Sequence, residues 1–229
     1  MKERVLFCWS GGKDSALALH RLLRDPQYEV VALLTTYNEH FQRVSMHGIS
    51  LALSEQQAQS IGLPLDKVFV GERSSNEEYT LKMAERMLAY KKQGVMTVAF
   101  GDIFLQDLRE WREGNLDQIG MRAIFPLWKN DTRELVREFV GLGFASRICC
   151  VSDRHLDETA LGREVDLDFV ASLPPGVDPC GENGEFHSFA YAGPIFKEPL
   201  AITTGERVHR EGFWFCDLLS AESKTAATA

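Results

Sequence analysis

The sequence lacks any hydrophobic run long enough to cross a bilayer. A membrane-spanning helix needs about 20 consecutive apolar residues, and no segment of the 229-residue chain approaches that length. Lys2, Glu3 and Arg4 lead directly into a β-like segment, without the apolar stretch of a secretory signal peptide. The sequence therefore predicts a cytoplasmic protein that acts without the membrane.

Cysteines are few and are not arranged in pairs. The chain has five, none of them in a C-x-x-C pattern, at Cys8, Cys149, Cys150, Cys180 and Cys216. An odd number with two adjacent members is unsuited to a disulfide framework. His155 and His209 have no cysteine or histidine partner at zinc-like spacing. A reducing compartment is expected.

An excess of basic residues is also missing. Lysine and arginine number 25 against 33 aspartates and glutamates, which gives a formal net charge of −8. Proteins that bind nucleic acid usually present a basic surface. A nucleic-acid partner is therefore not expected.

Alternating strand-like and helix-like segments occupy the first two thirds of the chain. Apolar, β-leaning runs occur at residues 4–9, 29–36, 68–70, 95–100 and 145–151. Helical spacing of apolar residues occurs at residues 14–24, 49–61, 76–92, 107–112 and 131–140. Such alternation predicts an α/β fold with a doubly wound, Rossmann-like parallel sheet, in which residues 145–151 form the fifth strand.

The remaining third has a different pattern. Residues 173–184 are rich in turn-forming residues, and two β-like runs follow at 199–209 and 212–219. We predict a nucleotide-binding domain over residues 1–154, a smaller α+β region for the substrate over 155–219, and a flexible tail over 220–229.

The turn after the first strand carries chemistry suited to phosphate. Glycines let backbone N–H groups approach an anion, and the following helix directs its positive end at the turn. The hexapeptide SGGKDS adds hydroxyls and a lysine, so the residues predicted to bind phosphate are Ser10, Gly11, Gly12, Lys13 and Ser15. Asp14 would repel phosphate, which favours a role as metal ligand or helix cap.

A second cluster of polar residues lies at residues 178–189, DPCGENGEFHSF. Glu182, Glu185 and His187 bring two carboxylates and an imidazole together within six residues. An imidazole can transfer protons near neutral pH, and a carboxylate can orient it. Spacing alone leaves a catalytic site and a polar surface turn equally open.

Four motifs together resemble the diphthine–ammonia ligase family, a branch of the PP-loop ATP pyrophosphatases. They are SGGKDS, FGDIFLQDLREWRE at 100–113, FPLW at 125–128 and DPCGENGEFHSF. The resemblance extends from Val5 to about Pro199. The first motif is typical of the whole superfamily, whereas the last is the family's own signature. Ser188 stands where the family usually has threonine, and the hydroxyl is kept.

The resemblance implies an ATP-dependent ligase that needs Mg²⁺. A substrate carboxylate would attack the α-phosphate of ATP, pyrophosphate would leave, and ammonia would then displace AMP to form an amide. The implied catalytic residues are Lys13, Asp14, Glu182, Glu185 and His187. Thr35 and Thr36 would contact adenine, Gly101 and Asp102 the ribose or α-phosphate, and Asp14 and Asp102 the metal. Asp102 as a cap of the next helix is an equal alternative.

The expected partners follow from the same resemblance. The acceptor is a carboxylate near residues 182–187, either diphthine on a translation elongation factor or a small metabolite. No glutaminase-like segment is visible, so free ammonia or a partner supplies the nitrogen. A homodimer is compatible with the sequence. Two other functions stay open: a tRNA-modifying PP-loop enzyme and a non-catalytic ATP sensor.

Overall fold

The computed structural model describes residues 1–44, 47–71 and 74–221. Of the predicted flexible tail, Ser220 ends a strand, and residues 222–229 lie outside the described residues. Within the described ranges, the helices are all too short or too polar to traverse a bilayer.

The first sheet is mostly parallel, as predicted. It contains β1 (Glu3–Cys8), β2 (Tyr28–Asn38), β3 (Arg43–Val44), β4 (Leu65–Val70), β5 (Thr97–Ala99) and β6 (Arg122–Ile124). The parallel strands lie in the order β4-β2-β1-β5-β6, and β3 pairs antiparallel with the end of β2. The predicted α/β class is confirmed.

Five helices connect these strands and continue beyond β6. They are α1 (Lys13–Arg24), α2 (Leu51–Ile61), α3 (Asn76–Lys91), α4 (Gln106–Gln118) and α5 (Thr132–Gly141). Ser50, Ser75 and Asp131 cap the first turns of α2, α3 and α5 with side-chain oxygens. Because such caps satisfy otherwise unpaired N–H groups, they fix where these helices begin.

Apolar residues cover both faces of the first sheet. Along β1, Val5 and Phe7 belong to one buried cluster and Leu6 to another, as the two-residue period of a strand requires. The Leu6 face packs against α3 and α4 through Met83 and Leu116. The opposite face packs against α1, α2 and α5 and against residues of a second sheet. The sheet is therefore doubly wound.

The second sheet is antiparallel and corrects one prediction. It contains β7 (Ala145–Ser152), β8 (Phe186–Ala192), β9 (Ile202–Arg210) and β10 (Phe213–Ser220) in the order β8-β7-β10-β9. The α6 helix (Leu167–Ala171) and a 3₁₀ turn (Glu158–Ala160) precede β8. Residues 145–151 were expected in the parallel sheet, but β7 pairs with β8 and β10. A strand buried on both faces has the same sequence pattern in either kind of sheet, so its partners could not be predicted.

The two sheets meet at the amino-terminal end of α1. The Ala190 N–H of β8 donates to the Gly11 carbonyl over 2.8 Å. Phe186 and Phe189 of β8 share a buried cluster with Phe7 of β1. The second sheet is thereby held against the loop that follows the first strand.

Candidate active site

A cleft opens where the order of the parallel strands reverses. β1 lies between β2 and β5, so the loops after β1 and β5 leave the sheet side by side, where α/β sheets bind ligands. Gly101, just after β5, lies against the first turn of α1: a Cβ there would be 3.2 Å from the Ser15 nitrogen. The cleft has a volume of about 470 Å³ and is open to solvent.

The loop after β1 presents hydroxyl and N–H groups to this cleft. Gly11 has φ +82°, a conformation that favours glycine, and Gly12 precedes α1 without a side-chain cap. The Ser10 and Ser15 hydroxyls are 2.7 Å apart, and the Gly12 N–H donates to Ser10 Oγ over 3.3 Å. These hydroxyl groups and the positive end of the α1 dipole suit an anion.

Lys13 connects this loop to the second sheet. Its side chain is buried, its Nζ lies 2.7 Å from Asp14 Oδ2, and it donates to the Cys180 carbonyl. Its backbone N–H donates to Ser188 Oγ over 3.3 Å. Burial would lower the pKa of Lys13, but the charge of Asp14, its hydrogen bond with Lys13 and the nearby Cys180 and Glu182 together outweigh burial and raise the pKa, so the ammonium persists.

Asp14 also lines the cleft, where Lys13 is its ion-pair partner. Burial raises the pKa of Asp14, and the charge of Lys13 opposes that shift. No group of three or more His, Cys, Asp or Glu side chains in the described ranges could hold a metal ion. Mg²⁺ commonly binds through substrate phosphates and one or two carboxylates. Asp14 fits that arrangement.

Residues 178–188 form a signature turn that leads into β8. The Asp178 carboxylate accepts the N–H groups of Cys180 and Glu182 over 3.0 and 3.1 Å. The Glu185 carboxylate, almost fully buried, accepts the backbone N–H groups of Asp178 and Asn183, each over 3.0 Å. Glu185, predicted to be catalytic, is not among the described residues that line the cleft; its contacts instead hold the turn together.

Glu182 does face the cleft. Its Oε1 accepts the N–H groups of Ile103 and Phe104 over 2.7 and 3.4 Å, which ties the signature turn to the loop after β5. Burial and the nearby charge of Asp14 raise the pKa of Glu182 to about 7, although the Ile103 N–H opposes the shift. A carboxyl group with such a pKa can exchange protons near neutrality.

His187 lines the cleft beside His47, with 4.6 Å between the ring centroids. Burial, together with the charges of His47 and Lys13, holds the pKa of His187 well below its usual range. Its Nε2 is buried and has no hydrogen-bond partner within the described ranges. His187 is therefore a neutral imidazole with a ring nitrogen available for hydrogen bonding.

Part of the cleft wall is apolar and includes Leu34, Met83 and Phe100. Thr36 lines it as well, whereas the buried Thr35 hydroxyl donates to the Trp9 carbonyl over 2.7 Å. Residues 10–15 form the predicted phosphate-binding loop, and apolar walls beside it suit a purine ring. Of the two threonines, the structure thus brings only Thr36 to the cleft.

Asp102 and Arg112 also line the cleft and form an ion pair. The Arg112 Nε lies 2.9 Å from Asp102 Oδ2, and the Arg112 guanidinium lies 4.4 Å from the Phe100 ring centroid. The residue that caps α4 is Leu105, so Asp102 is not that cap. Its predicted role as a metal ligand stays a prediction, since Arg112 competes for the carboxylate. The ion pair was not foreseen from sequence.

Known protein families that match this chain decide between the functions left open by its motifs. Residues 1–123 match the Diphthamide synthase N-terminal domain, and residues 131–223 match the Diphthamide synthase C-terminal domain. The chain belongs to the diphthamide synthase family. Together with its curated relatives, this membership shows the chain to be an ATP-dependent ligase and confirms the predicted resemblance.

Curated relatives extend over almost the whole chain. The diphthine–ammonia ligase of Rattus norvegicus is 26% identical over 234 residues, which cover 90% of this chain and 85% of the relative. The diphthine–ammonia ligase of Schizosaccharomyces pombe is 26% identical over 239 residues, which cover 94% of this chain and 38% of that longer relative.

Among solved structures, the U34-tRNA thiolase NcsA from Methanococcus maripaludis is a distant neighbour. It is 15% identical, with a TM-score of 0.39, and the match covers 62% of this chain and 58% of that chain. A likeness at this level is too distant to assign a function.

Proposed function

We propose that this chain converts a diphthine-type carboxylate, carried by a protein in the cytoplasm, into a carboxamide with ATP and ammonia. The named activity of its curated relatives supports this acceptor. A small carboxylate metabolite is the second candidate, because the cleft is open to solvent and sets no requirement for a protein.

One observation carries the proposal: the signature turn lies directly on the phosphate-binding loop. Lys13 reaches the turn through two contacts, from its ammonium to the Cys180 carbonyl and from its N–H to the Ser188 hydroxyl. Glu182 and His187 line the same cleft as the loop. An acceptor held by the turn would therefore meet the phosphates of a nucleotide held by the loop.

The first step of the proposed reaction is adenylation. A carboxylate oxygen of the acceptor attacks the α-phosphorus, the bond to the bridging oxygen breaks, and pyrophosphate leaves. The negative charge that develops there would be stabilised by N–H groups at the start of α1, the Ser10 and Ser15 hydroxyls and the Lys13 ammonium. Mg²⁺ bound through Asp14 would neutralise further charge on the phosphates.

The second step is attack by ammonia. Nitrogen bonds to the acyl carbon, the carbon–oxygen bond to AMP breaks, and one proton is released for each amide formed. Glu182 is the proposed acceptor of that proton, since its pKa of about 7 leaves it ready to gain or lose a proton near neutrality. The neutral His187 would orient the acceptor by a hydrogen bond rather than by charge.

Exchange of labelled pyrophosphate into ATP tests this function. Purified protein is incubated with ATP, labelled pyrophosphate and one carboxylate at a time, including diphthine-bearing elongation factor and small metabolites. Exchange that depends on a carboxylate supports the proposal. Exchange that requires tRNA, or ATP binding without any exchange, would favour the tRNA-modifying enzyme or the sensor. Turnover with glutamine in the absence of ammonia would contradict the proposed nitrogen source.

A further inference from the structure

Gln57, in the middle of α2, is a polar side chain buried completely inside the protein. Its exposed fraction is 0%. The sequence around it, LSEQQAQSI, contains three glutamines, and nothing in the spacing distinguishes Gln57 from Gln56 or the exposed Gln59. Burying an amide without hydrogen bonds is costly, so the contacts of Gln57 need an explanation.

Both polar atoms of the Gln57 carboxamide, Oε1 and Nε2, form hydrogen bonds. Its Oε1 accepts the indole N–H of Trp9 over 3.0 Å. Its Nε2 donates to the carbonyl of Gly11 over 2.9 Å and to the carbonyl of Ala190 over 2.5 Å. Only this orientation of the amide directs both N–H groups at carbonyl oxygens and the oxygen at a donor.

The three hydrogen-bond partners of Gln57 lie in two separate parts of the molecule, at the phosphate-binding loop and in the second sheet. Trp9 and Gly11 flank the first residue of the phosphate-binding loop, and Ala190 belongs to β8 of the second sheet. The Ala190 N–H already donates to the Gly11 carbonyl. Gln57 therefore completes a junction between α2, the loop and the second sheet.

We propose that Gln57 is a positioning residue for ATP. It acts through Gly11, which has φ +82° and lacks a Cβ, so its backbone has access to more conformations than other residues unless the carbonyl is held. A Cβ at Gly11 would lie 2.8 Å from Gln57 Oε1, so the loop conformation and the amide fit each other closely. The Gly11 carbonyl and the Gly12 N–H belong to one peptide group, so fixing the carbonyl toward β8 and α2 also holds that N–H toward the Ser10 hydroxyl, which lines the cleft. Gln57 is not among the described residues lining that cleft.

This inference rests on the proposed function and makes a narrower claim. Binding energy for a phosphate is lost when its donors must first be ordered, because ordering costs conformational entropy. Gln57 supplies that order before ATP arrives. Removing its two N–H donors should weaken ATP binding even though no contact to the nucleotide is lost.

The test measures ATP affinity by calorimetric titration of the whole chain, without an acceptor. Gln57→Leu keeps the approximate size of the side chain and removes its hydrogen bonds, and Gln59→Leu is the matched control on the exposed face of α2. We expect the Kd for ATP to rise at least tenfold in Gln57→Leu and less than twofold in Gln59→Leu, with circular dichroism confirming folding. A Kd within twofold of wild type in folded Gln57→Leu would overturn the proposal.

A second variant decides the matter if Gln57→Leu does not fold. In Gln57→Glu, a protonated carboxyl can still donate once and accept from Trp9, whereas the ionised form would face two carbonyl oxygens. We expect the Kd for ATP to increase between pH 5.5 and 8.0 at least fivefold more in Gln57→Glu than in wild type and in Gln59→Glu. The same pH dependence in all three proteins would overturn the positioning role.

Failure of this inference can be told apart from failure of the proposed function. Wild-type protein that binds no ATP would overturn the proposed function and the inference with it. Wild-type protein that binds ATP, together with Gln57 variants that bind equally tightly, would overturn the positioning role and leave the proposed function standing.

Discussion

The Lys13 ammonium contacts both Asp14 and the signature turn. In the structure it is paired with Asp14 and donates to the Cys180 carbonyl, and it is buried while doing so. A pyrophosphate group in the cleft would offer a stronger, charged acceptor. Lys13 is therefore placed both to hold the signature turn before ATP binds and to contact the phosphates afterwards.

Replacing Lys13 should cost both stability and ATP affinity. In Lys13→Ala the Asp14 carboxylate, which is 27% exposed, loses its partner, and losing this partly buried ion pair should lower the free energy of unfolding by about 2 kcal/mol, between the costs for exposed and fully buried pairs. Lys67→Ala removes an ion pair to Glu55 that is partly exposed, so it should cost about 0–1 kcal/mol. Urea denaturation compares the two variants, and ATP titration of each gives the affinity.

His187→Ala serves as the comparison within the cleft for the same experiment. Because His187 is neutral and its proposed contact is to the acceptor, ATP affinity should stay within about twofold of wild type, which corresponds to less than about 0.5 kcal/mol. ATP affinity in Lys13→Ala equal to that of wild type would remove the proposed role of the lysine.

Glu182 should produce a pH dependence in the ammonia step. Its pKa is raised to about 7, so the carboxylate that accepts a proton predominates above that pH and disappears below it. At a constant concentration of free ammonia, amide formation by wild type should rise with pH through about 7. Glu182→Gln keeps an oxygen for the Ile103 N–H but cannot take the proton, so the rate should fall about 100-fold.

Rapid-quench measurement of the amide checks this expectation, with pyrophosphate exchange as the control. Exchange reports only adenylation, so it should remain within a few-fold of wild type in Glu182→Gln. A variant that keeps the wild-type pH profile of amide formation would rule out Glu182 as the proton acceptor.

At the scale of elements, the signature turn depends on a glycine with a positive φ. Gly181 has φ +70°, and a Cβ there would lie 2.6 Å from the Phe186 carbonyl oxygen, which is backbone and cannot easily move. Gly176 also has a positive φ, +91°, but a Cβ there would meet nothing within 4 Å. The two glycines thus share a backbone conformation and differ in the space around them.

Gly181→Ala should therefore be far more damaging than Gly176→Ala. The backbone conformation alone costs about 1 kcal/mol in each variant, and the clash adds to it only at position 181. We expect thermal unfolding to show a much larger decrease in Tm for Gly181→Ala and pyrophosphate exchange to be reduced in that variant alone. Equal decreases in Tm would show that the clash is relieved without disturbing the turn.

Some elements were predictable because their signals are local. The α3 helix was predicted over residues 76–92 and is observed as Asn76–Lys91. Its ends have local signals, because Ser75 caps its first turn and Gly94 follows its last. The place of β7 was not predictable, because Cys149, Cys150 and Val151 are buried on both sides and match either sheet. The partners of such a strand depend on residues far away in sequence, on β8 and β10.

The candidate site shows the same division between local and distant signals. One hexapeptide predicted the turn between β1 and α1, because glycines and the start of a helix act within that short stretch, while its binding of phosphate stays a prediction. Three features were missed: the turn-forming role of Glu185, the Asp102–Arg112 ion pair and the buried Gln57. The partners of Gln57 lie 46 to 133 residues away along the chain, and a single sequence contains no signal for such contacts. The partners of Glu185 and Arg112 lie only 2 to 10 residues away, but the spacing does not fix which way a side chain points from an irregular loop.

At the scale of the whole molecule, two sheets of different kinds build one cleft. The parallel sheet supplies the phosphate-binding loop, and the antiparallel sheet supplies the signature turn. The hydrogen bonds of Gly11 with Ala190 and Gln57 hold the two sheets together at this point. The proposed nucleotide and acceptor sites are thereby in contact before either ligand binds, which would avoid part of the cost of aligning two reactants.

The transfer of oxygen from the acceptor to AMP tests the central claim most directly. The acceptor carboxylate is labelled with ¹⁸O and incubated with the protein, ATP, Mg²⁺ and ammonia, and the nucleotide product is analysed by mass spectrometry. Adenylation requires that the oxygen which attacks the α-phosphorus leaves with it, so AMP should carry one ¹⁸O atom. Unlabelled AMP, or ADP as the product, would contradict the account.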